Sequence, residues 1–150
     1  MLIRNFKETD IDEIAELFYE TVHSVNAKDY TEEELFAWAG GQIDKKAWTA
    51  SFLEHNTFVA EEDGTITGFI DIAADGYVDR LYIHRDFQKK GTASALLEKA
   101  ENSVSAGSFY THASLTAMPF FLKKGYKVIK EQRVLRKGIY LRNFIMEKAF

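Results

Sequence analysis

The sequence predicts a single mixed α/β domain built on a mostly antiparallel sheet that contains one parallel strand pair. Three observations carry this. Apolar residues in the first third recur at helical spacing. From Thr57 they change to runs rich in β-branched and aromatic residues, separated by hairpin signals. A helical segment then lies between two strands, and such a connection makes those strands parallel. With 150 residues, 46% hydrophobic and 14% aromatic, the chain can bury one sizeable core but not two. Residues 1–150 are therefore expected to form one domain.

Taken in order, Leu2-Ile3-Arg4-Asn5-Phe6 alternates weakly and reads as a strand. Asp10 and Glu13 have the spacing of a capping box, and Ile11, Ile14, Leu17 and Phe18 continue at helical intervals to about Ser24. A second box, Thr31 with Glu34, opens a helix carrying Leu35, Phe36 and Trp38, which Gly40-Gly41 ends. A third short helix holds Trp48, Phe52 and Leu53. Thr57 to Glu61 and Ile66 to Ile72 are strands joined across Glu62-Asp63-Gly64, and Asp75-Gly76 turns the chain into a third, Tyr77 to Ile83. Ala93, Leu96, Leu97, Ala100 and Val104 form the apolar face of the next helix, and Gly107 breaks it. Phe109 to His112 is then a short strand, parallel to Tyr77–Ile83 through a right-handed crossover. Thr116 caps a further helix with Pro119 in its first turn, where the missing N–H is not needed. Gly125 closes that helix, and Val128 to Val134 and Tyr140 to Met146 form a hairpin around Lys137-Gly138.

Several function classes are excluded. A net charge of -4, from 19 basic and 23 acidic residues, argues against nucleic-acid binding, which needs a basic excess gathered on one face. No run of about 18 apolar residues is present, and MLIRNFKETD lacks the sections of a signal peptide. A cytoplasmic protein with no membrane partner is expected. Zero cysteines remove disulfides, thiolate zinc sites and a cysteine nucleophile. No G-x-S-x-G is present to mark a hydrolase. His23, His55 and His84 have no metal-ligand spacing, so no metal is expected and no chemistry is assigned to them.

The stretch HRDFQKKGTASALLEKA, residues 84–100, carries the functional signal. A strand ends at Ile83, and a short loop leads to a helix N-terminus, which presents free N–H groups and the positive end of the helix dipole. Small residues at Gly91, Thr92 and Ala93 let a ligand approach that backbone, and Lys89 and Lys90 add positive charge. The expected ligand is a phosphate. No P-loop and no G-x-G-x-x-G is present. Gln88-Lys89-Lys90-Gly91-Thr92-Ala93 resembles the Q/R-x-x-G-x-G/A signature of the GCN5-related N-acetyltransferases (GNAT). LYIHRDFQKKGTASALL is similar to that family's central strand, loop and helix, ASLTAMPFFLKKGYKV to its A-x-x-F-Y-x-x-x-G-F/Y segment, and RNFIMEKAF to the last strand of many small bacterial members. With the order of elements, the resemblance spans nearly the whole chain.

The resemblance implies a GNAT-like fold, with a splayed parallel pair and helices on both faces of the sheet. It implies an N-acetyltransferase that takes acetyl-coenzyme A (acetyl-CoA) as co-substrate and an amine of a small molecule, peptide or protein as acceptor. The pyrophosphate would lie on the N–H groups of Gln88 to Ala93, and the pantetheine along the backbone of Leu81 and Ile83, with Ser114, Phe120 and Phe121 beside it. The Leu81 N–H is the candidate oxyanion donor, although the side chains of Leu81 and Ile83 also suit a core. Asp79, two residues before Leu81 and so expected on the same strand face, is the candidate base, or else an aspartate paired with a nearby arginine or lysine. His112 is a second titratable candidate or a structural histidine. Tyr30, Trp38, Tyr77 and Tyr140 could line the acceptor pocket, and core packing accounts for aromatics equally well. Where the family often has a tyrosine to protonate the thiolate, this chain has Phe121. That departure motivates the alternative of a coenzyme A-binding module with little or no catalysis. A homodimer is left open.

Overall fold

The computed structural model describes residues 1–149. The chain runs β1 (Leu2–Asn5), α1 (Ile11–Ser24), α2 (Glu32–Ala39), α3 (Lys45–Glu54), β2 (Asn56–Glu62), β3 (Thr65–Ile72) and β4 (Tyr77–Ile83). It continues through α4 (Thr92–Asn102), β5 (Ser108–Ser114), α5 (Met118–Lys123), β6 (Lys127–Arg136) and β7 (Ile139–Ala149). One seven-stranded sheet has the order β1-β2-β3-β4-β5-β7-β6. Every neighbouring pair is antiparallel except β4 with β5. Alternate residues of the central strands serve two cores. On one face Ile70, Ile72, Val78 and Ile83 pack with Leu96, Leu97 and Ala100 of α4 and Phe121 of α5. On the other, Val59, Phe69 and Leu141 pack with Ile14, Leu17 and Phe18 of α1, Leu35 of α2 and Phe52 of α3. Among the described residues no helix is long and apolar enough to cross a membrane.

The Thr31–Glu34 capping box forms as expected: Glu34 N donates to Thr31 Oγ1 at 3.1 Å and Thr31 N to Glu34 Oε1 at 2.8 Å. The Asp10–Glu13 box does not. Asp10 takes two bonds from the Arg4 guanidinium, at 2.8 and 2.9 Å, and one from Lys7 N. A paired arginine is a stronger donor than an exposed helix-end N–H. Glu13 instead accepts from Ile66 N at 2.7 Å, which ties α1 to β3. Thr116 is not a cap either: its hydroxyl donates to Asp29, while Ser114 Oγ accepts from Ala117 N at 3.1 Å. Val104 lies beyond the end of α4 but still packs on the core. The turn at Gly76 requires glycine, because φ is 97° and a Cβ there would collide with the Ser108 carbonyl oxygen.

Candidate active site

The parallel pair sets up the site. β4 and β5 are paired only at Tyr77 with Tyr110 and Val78 with Thr111, and the Thr111 hydroxyl donates to the Val78 carbonyl at 2.8 Å. Beyond that point the strands part, while β5 keeps its pairing with β7 as far as Ser114. Backbone groups along an antiparallel edge alternate in direction. His84 N donates to Thr67 O at 2.8 Å, so Tyr82 and Arg80 also turn toward β3. Leu81 and Ile83 therefore direct their N–H and C=O groups into the opening. The Ile83 carbonyl is occupied, since it accepts from Thr21 Oγ1 at 3.0 Å and from Gln88 Nε2 at 2.7 Å. The side chain of Gln88 thus fastens the loop to the strand end.

Between β4 and α4 the loop makes a 3-10 turn at Arg85–Phe87 and then takes left-handed conformations at Lys89 (φ 59°) and Gly91 (φ 82°). Gly91 is the N-cap of α4, and no side chain caps that end. The first helical bond is Ala95 N to Gly91 O, so the earlier N–H groups of α4 have no partner within the helix. Its own chain neighbours aside, no atom of the described residues lies within 4 Å of where a Cβ on Gly91 would stand. Free backbone N–H groups at a helix start with open space before them suit an anion. Lys89 borders it, whereas the Lys90 ammonium sits over the Phe87 ring at 5.1 Å. Lys89→Ala is therefore expected to weaken binding of coenzyme A several-fold at low salt and much less at high salt, and Lys90→Ala to change it little. Calorimetric titration at two ionic strengths checks both.

A cleft of about 1030 Å³ joins this helix start, the opening between β4 and β5, and a chamber on the sheet face that carries α1 and α2. Tyr30, Trp38 and Tyr77 line the chamber. The Tyr30 hydroxyl donates to Arg142 O at 2.8 Å and accepts from Leu115 N at 2.9 Å, which binds the approach to α2 to the ends of β5 and β7. Burial is the main reason its phenol titrates above the ordinary range. Burial, with Asp79 second, pushes the Tyr77 phenol up to about 12. Asp79 lines the same cleft and is half-buried. Burial raises its carboxyl above the usual carboxylate value, against the opposing pull of Arg80.

The register shifts within the β3–β4 pair: Asp71 faces Arg80 but Ile72 faces Val78. Asp79 is the extra residue of a β-bulge, and a bulge brings two successive side chains to one side of the sheet. Its carboxylate stands with Arg80 on the face of α3, 3.4 Å from Arg80 Nη1. Arg80 Nη1 also donates to Asp71 Oδ2 at 2.6 Å and to Ser51 Oγ at 3.3 Å, and the guanidinium lies 4.7 Å over Trp48 and 5.0 Å over Phe52. His55 Nδ1 is 2.7 Å from the same Asp71 oxygen, and that bond is the main reason its imidazole titrates higher than usual. His55, Asp71 and Asp79 bring donor atoms within 4.8 Å of one another, around the Arg80 cation.

A family model for the acetyltransferase (GNAT) domain matches residues 26–148. The chain belongs to the GNAT family. It is 32% identical over 144 residues to the uncharacterized N-acetyltransferase YafP of Escherichia coli K12, across 96% of this chain and 93% of that protein. A GCN5-related N-acetyltransferase structure from Rhodopseudomonas palustris superposes with a TM-score of 0.92 at 28% identity, covering 99% of this chain and 95% of the other. The PaiA N-acetyltransferase of Thermoplasma acidophilum, solved in complex with coenzyme A, superposes at 0.79 with 22% identity over 99% and 98% of the two chains.

In this GNAT chain nearly all residues singled out from sequence border one cleft. Thr92 and Ala93 border it at the helix start, and Ser114, Phe120 and Phe121 on the side of β5 and α5. Two do not. Lys90 turns to Phe87, and Tyr140 is 60% exposed, away from the lining. Asp79 is in the cleft, but its expected place on the Leu81 face is corrected by the bulge: Leu81 packs toward α4, and Asp79 joins Arg80. Phe121 is 3% exposed and packed on Phe120 and Tyr126, so it is a core residue at the cleft's edge. His112 is exposed, with its ring 5.3 Å from that of Tyr77. Sequence reasoning passes over Asp71, Arg80 and His55. One signal was there: Asp71 interrupts the apolar run Phe69-Ile70-Asp71-Ile72, and a lone carboxylate in a buried strand needs a cationic partner.

Proposed function

We propose that this GNAT protein transfers the acetyl group of acetyl-CoA to an amine by direct attack in a ternary complex. The observation that carries this is the opening of the sheet after Val78, continuous with the uncapped start of α4 on one side and with the aromatic chamber around Asp79 on the other. The coenzyme A bound by the PaiA relative supports the same class of ligand here. In this reading the pyrophosphate rests on N–H groups between Gln88 and Ala93, the pantetheine follows the Leu81–Ile83 edge, and the Leu81 N–H meets the thioester oxygen.

The acceptor nitrogen attacks the thioester carbon, the C–S bond breaks, and coenzyme A leaves as a thiolate that then gains a proton. Asp79 takes the proton of the nitrogen, directly or through one water. Burial gives this carboxylate more proton affinity than a free aspartate has, which suits the role. Thiol release from acetyl-CoA across a panel of primary amines tests the reading. Amine-dependent release supports it; tight coenzyme A binding with no release for any amine would favour the binding-module reading.

Phe121 is the feature behind that second reading, since its position has no hydroxyl to protonate the thiolate. Tyr110 is not a substitute, because it donates to Asp75 Oδ2 at 2.7 Å, and Tyr140 lies outside the cleft. Coenzyme A thiolate is a stable leaving group, so slow but real transfer is expected. Phe121→Tyr should raise the single-turnover rate by about tenfold, well under the roughly 10²- to 10⁴-fold typical of a positioned acid. No gain in a variant that still binds coenzyme A would mean that the proton comes from another group or from water.

A further inference from the structure

Arg80 is the nearest cation to Asp79, and an arginine hydrogen-bonded to a general base would hold its proton-accepting oxygens. The structure has a second carboxylate competing for that arginine. Asp71 is fully buried on the neighbouring strand, directly across from Arg80. Its Oδ2 receives Arg80 Nη1 at 2.6 Å and His55 Nδ1 at 2.7 Å, and its Oδ1 has no partner among the described residues. The same Nη1 stays 3.4 Å from Asp79, where a charged hydrogen bond would be about 2.7–2.9 Å long. Trp48 and Phe52 lie against the guanidinium plane and restrict its swing. Nothing in cofactor binding explains a buried aspartate joined to a partly buried arginine and histidine on this face of the sheet.

We propose that Asp71 is a positioning residue which, with the Trp48 and Phe52 rings, holds Arg80 just short of a hydrogen bond to Asp79 and so leaves Asp79 free to accept the acceptor's proton. The inference rests on the reading of Asp79 as the base. The groups facing Asp79 are Arg80 and Tyr77 on its own strand, Asp71 on β3, His55 at the end of α3 and His112 on β5. Arg80 and the two histidines lower its proton affinity, and Asp71 raises it. Asp71 acts twice in the same direction, as a like charge and by occupying Arg80.

The test is a pH titration of carboxyl carbons in the ¹³C-aspartate-labelled protein, with the Asp79 signal assigned by its loss in Asp79→Asn. It needs no acceptor and no turnover. Asp71→Asn should release Arg80 to Asp79 and shift the Asp79 midpoint down by about one pH unit. The double variant Asp71→Asn/Arg80→Gln removes both charges, and since the pull of Arg80 exceeds the push of Asp71, the midpoint should move up instead. Opposite shifts sustain the proposal. An unmoved midpoint in Asp71→Asn, or the same direction in both variants, overturns it. If Asp71→Asn alone does not fold, Trp48→Ala decides, since it keeps both charges but removes a ring that holds the guanidinium: a lowered Asp79 midpoint sustains the proposal and an unmoved one overturns it. With an amine found to be acetylated, the acidic limb of kcat/KM should follow these midpoints, which a merely structural residue would not produce. If that limb survives in Asp79→Asn, the assignment of the base and this inference both fall. If the limb is lost there but stays in place in Asp71→Asn, only this inference falls.

Discussion

Asp79→Asn is expected to lower the rate of acetyl transfer by about 10²- to 10³-fold and to leave the affinity for acetyl-CoA nearly unchanged. The carboxylate borders the aromatic chamber and not the helix start, where the coenzyme's main contacts are proposed to lie. Its pH dependence has a definite sign. The base must be ionised to act, and burial raises the pH at which it ionises. Wild-type turnover should therefore fall on the acid side, beginning at a higher pH than for an ordinary aspartate, and this limb should vanish from the residual activity of Asp79→Asn. Steady-state rates with one acetylated amine between pH 4 and 9 check both points. A variant with wild-type rate and pH profile would reduce Asp79 to a partner of Arg80, to which it already lies 3.4 Å away.

The second large effect is expected at Gly91. Its φ of 82° costs any L-residue about 1 kcal/mol or somewhat more, yet apart from its chain neighbours no atom of the described residues lies within 4 Å of the Cβ position. Gly91→Ala and Gly91→Val should both fold, with a modest loss in thermal stability for alanine and a larger one for β-branched valine, which tolerates a positive φ less well. Ligand binding should separate them. The space before Gly91 is where the pyrophosphate would approach the N–H groups of α4, so Gly91→Val should weaken acetyl-CoA binding by about 10²-fold or more, and Gly91→Ala much less. A fall of 2.7 kcal/mol corresponds to roughly that factor. Equal affinity in all three proteins by calorimetry would place the coenzyme somewhere else.

Much of the fold was legible because its signals are local. The hairpin turns at Glu62-Asp63-Gly64 and Lys137-Gly138 and the Thr31–Glu34 box each need only a few adjacent residues, and each forms where expected. Where a residue had to choose between a local partner and a distant one, the distant one won. Asp10 gave up its helix for Arg4, Glu13 for Ile66 N on β3, and Thr116 for Asp29. The geometry of the proposed coenzyme end is local in the same way as the hairpins, since strand end, glycine and helix start are contiguous. The acceptor end is not. Strict alternation puts Asp79 with Leu81, and only the pairing of β3 with β4 reveals the shift that turns it toward Arg80. His55, Asp71 and Arg80 come together from the end of a helix and two strands, a grouping that no spacing in the sequence encodes.

Acetyl-CoA is proposed to enter the opening between β4 and β5 with its pyrophosphate on the start of α4. Backbone amide shifts in the ¹⁵N-labelled protein titrated with acetyl-CoA read out this placement without turnover. Saturable shifts are expected at Lys89 to Ser94, in the loop and first turn of α4, together with Leu81 and Ile83 on the opened edge, and little change at Glu61, Glu62 and Thr65, away from the cleft. Saturable shifts confined to other residues, or none at millimolar acetyl-CoA, would contradict it.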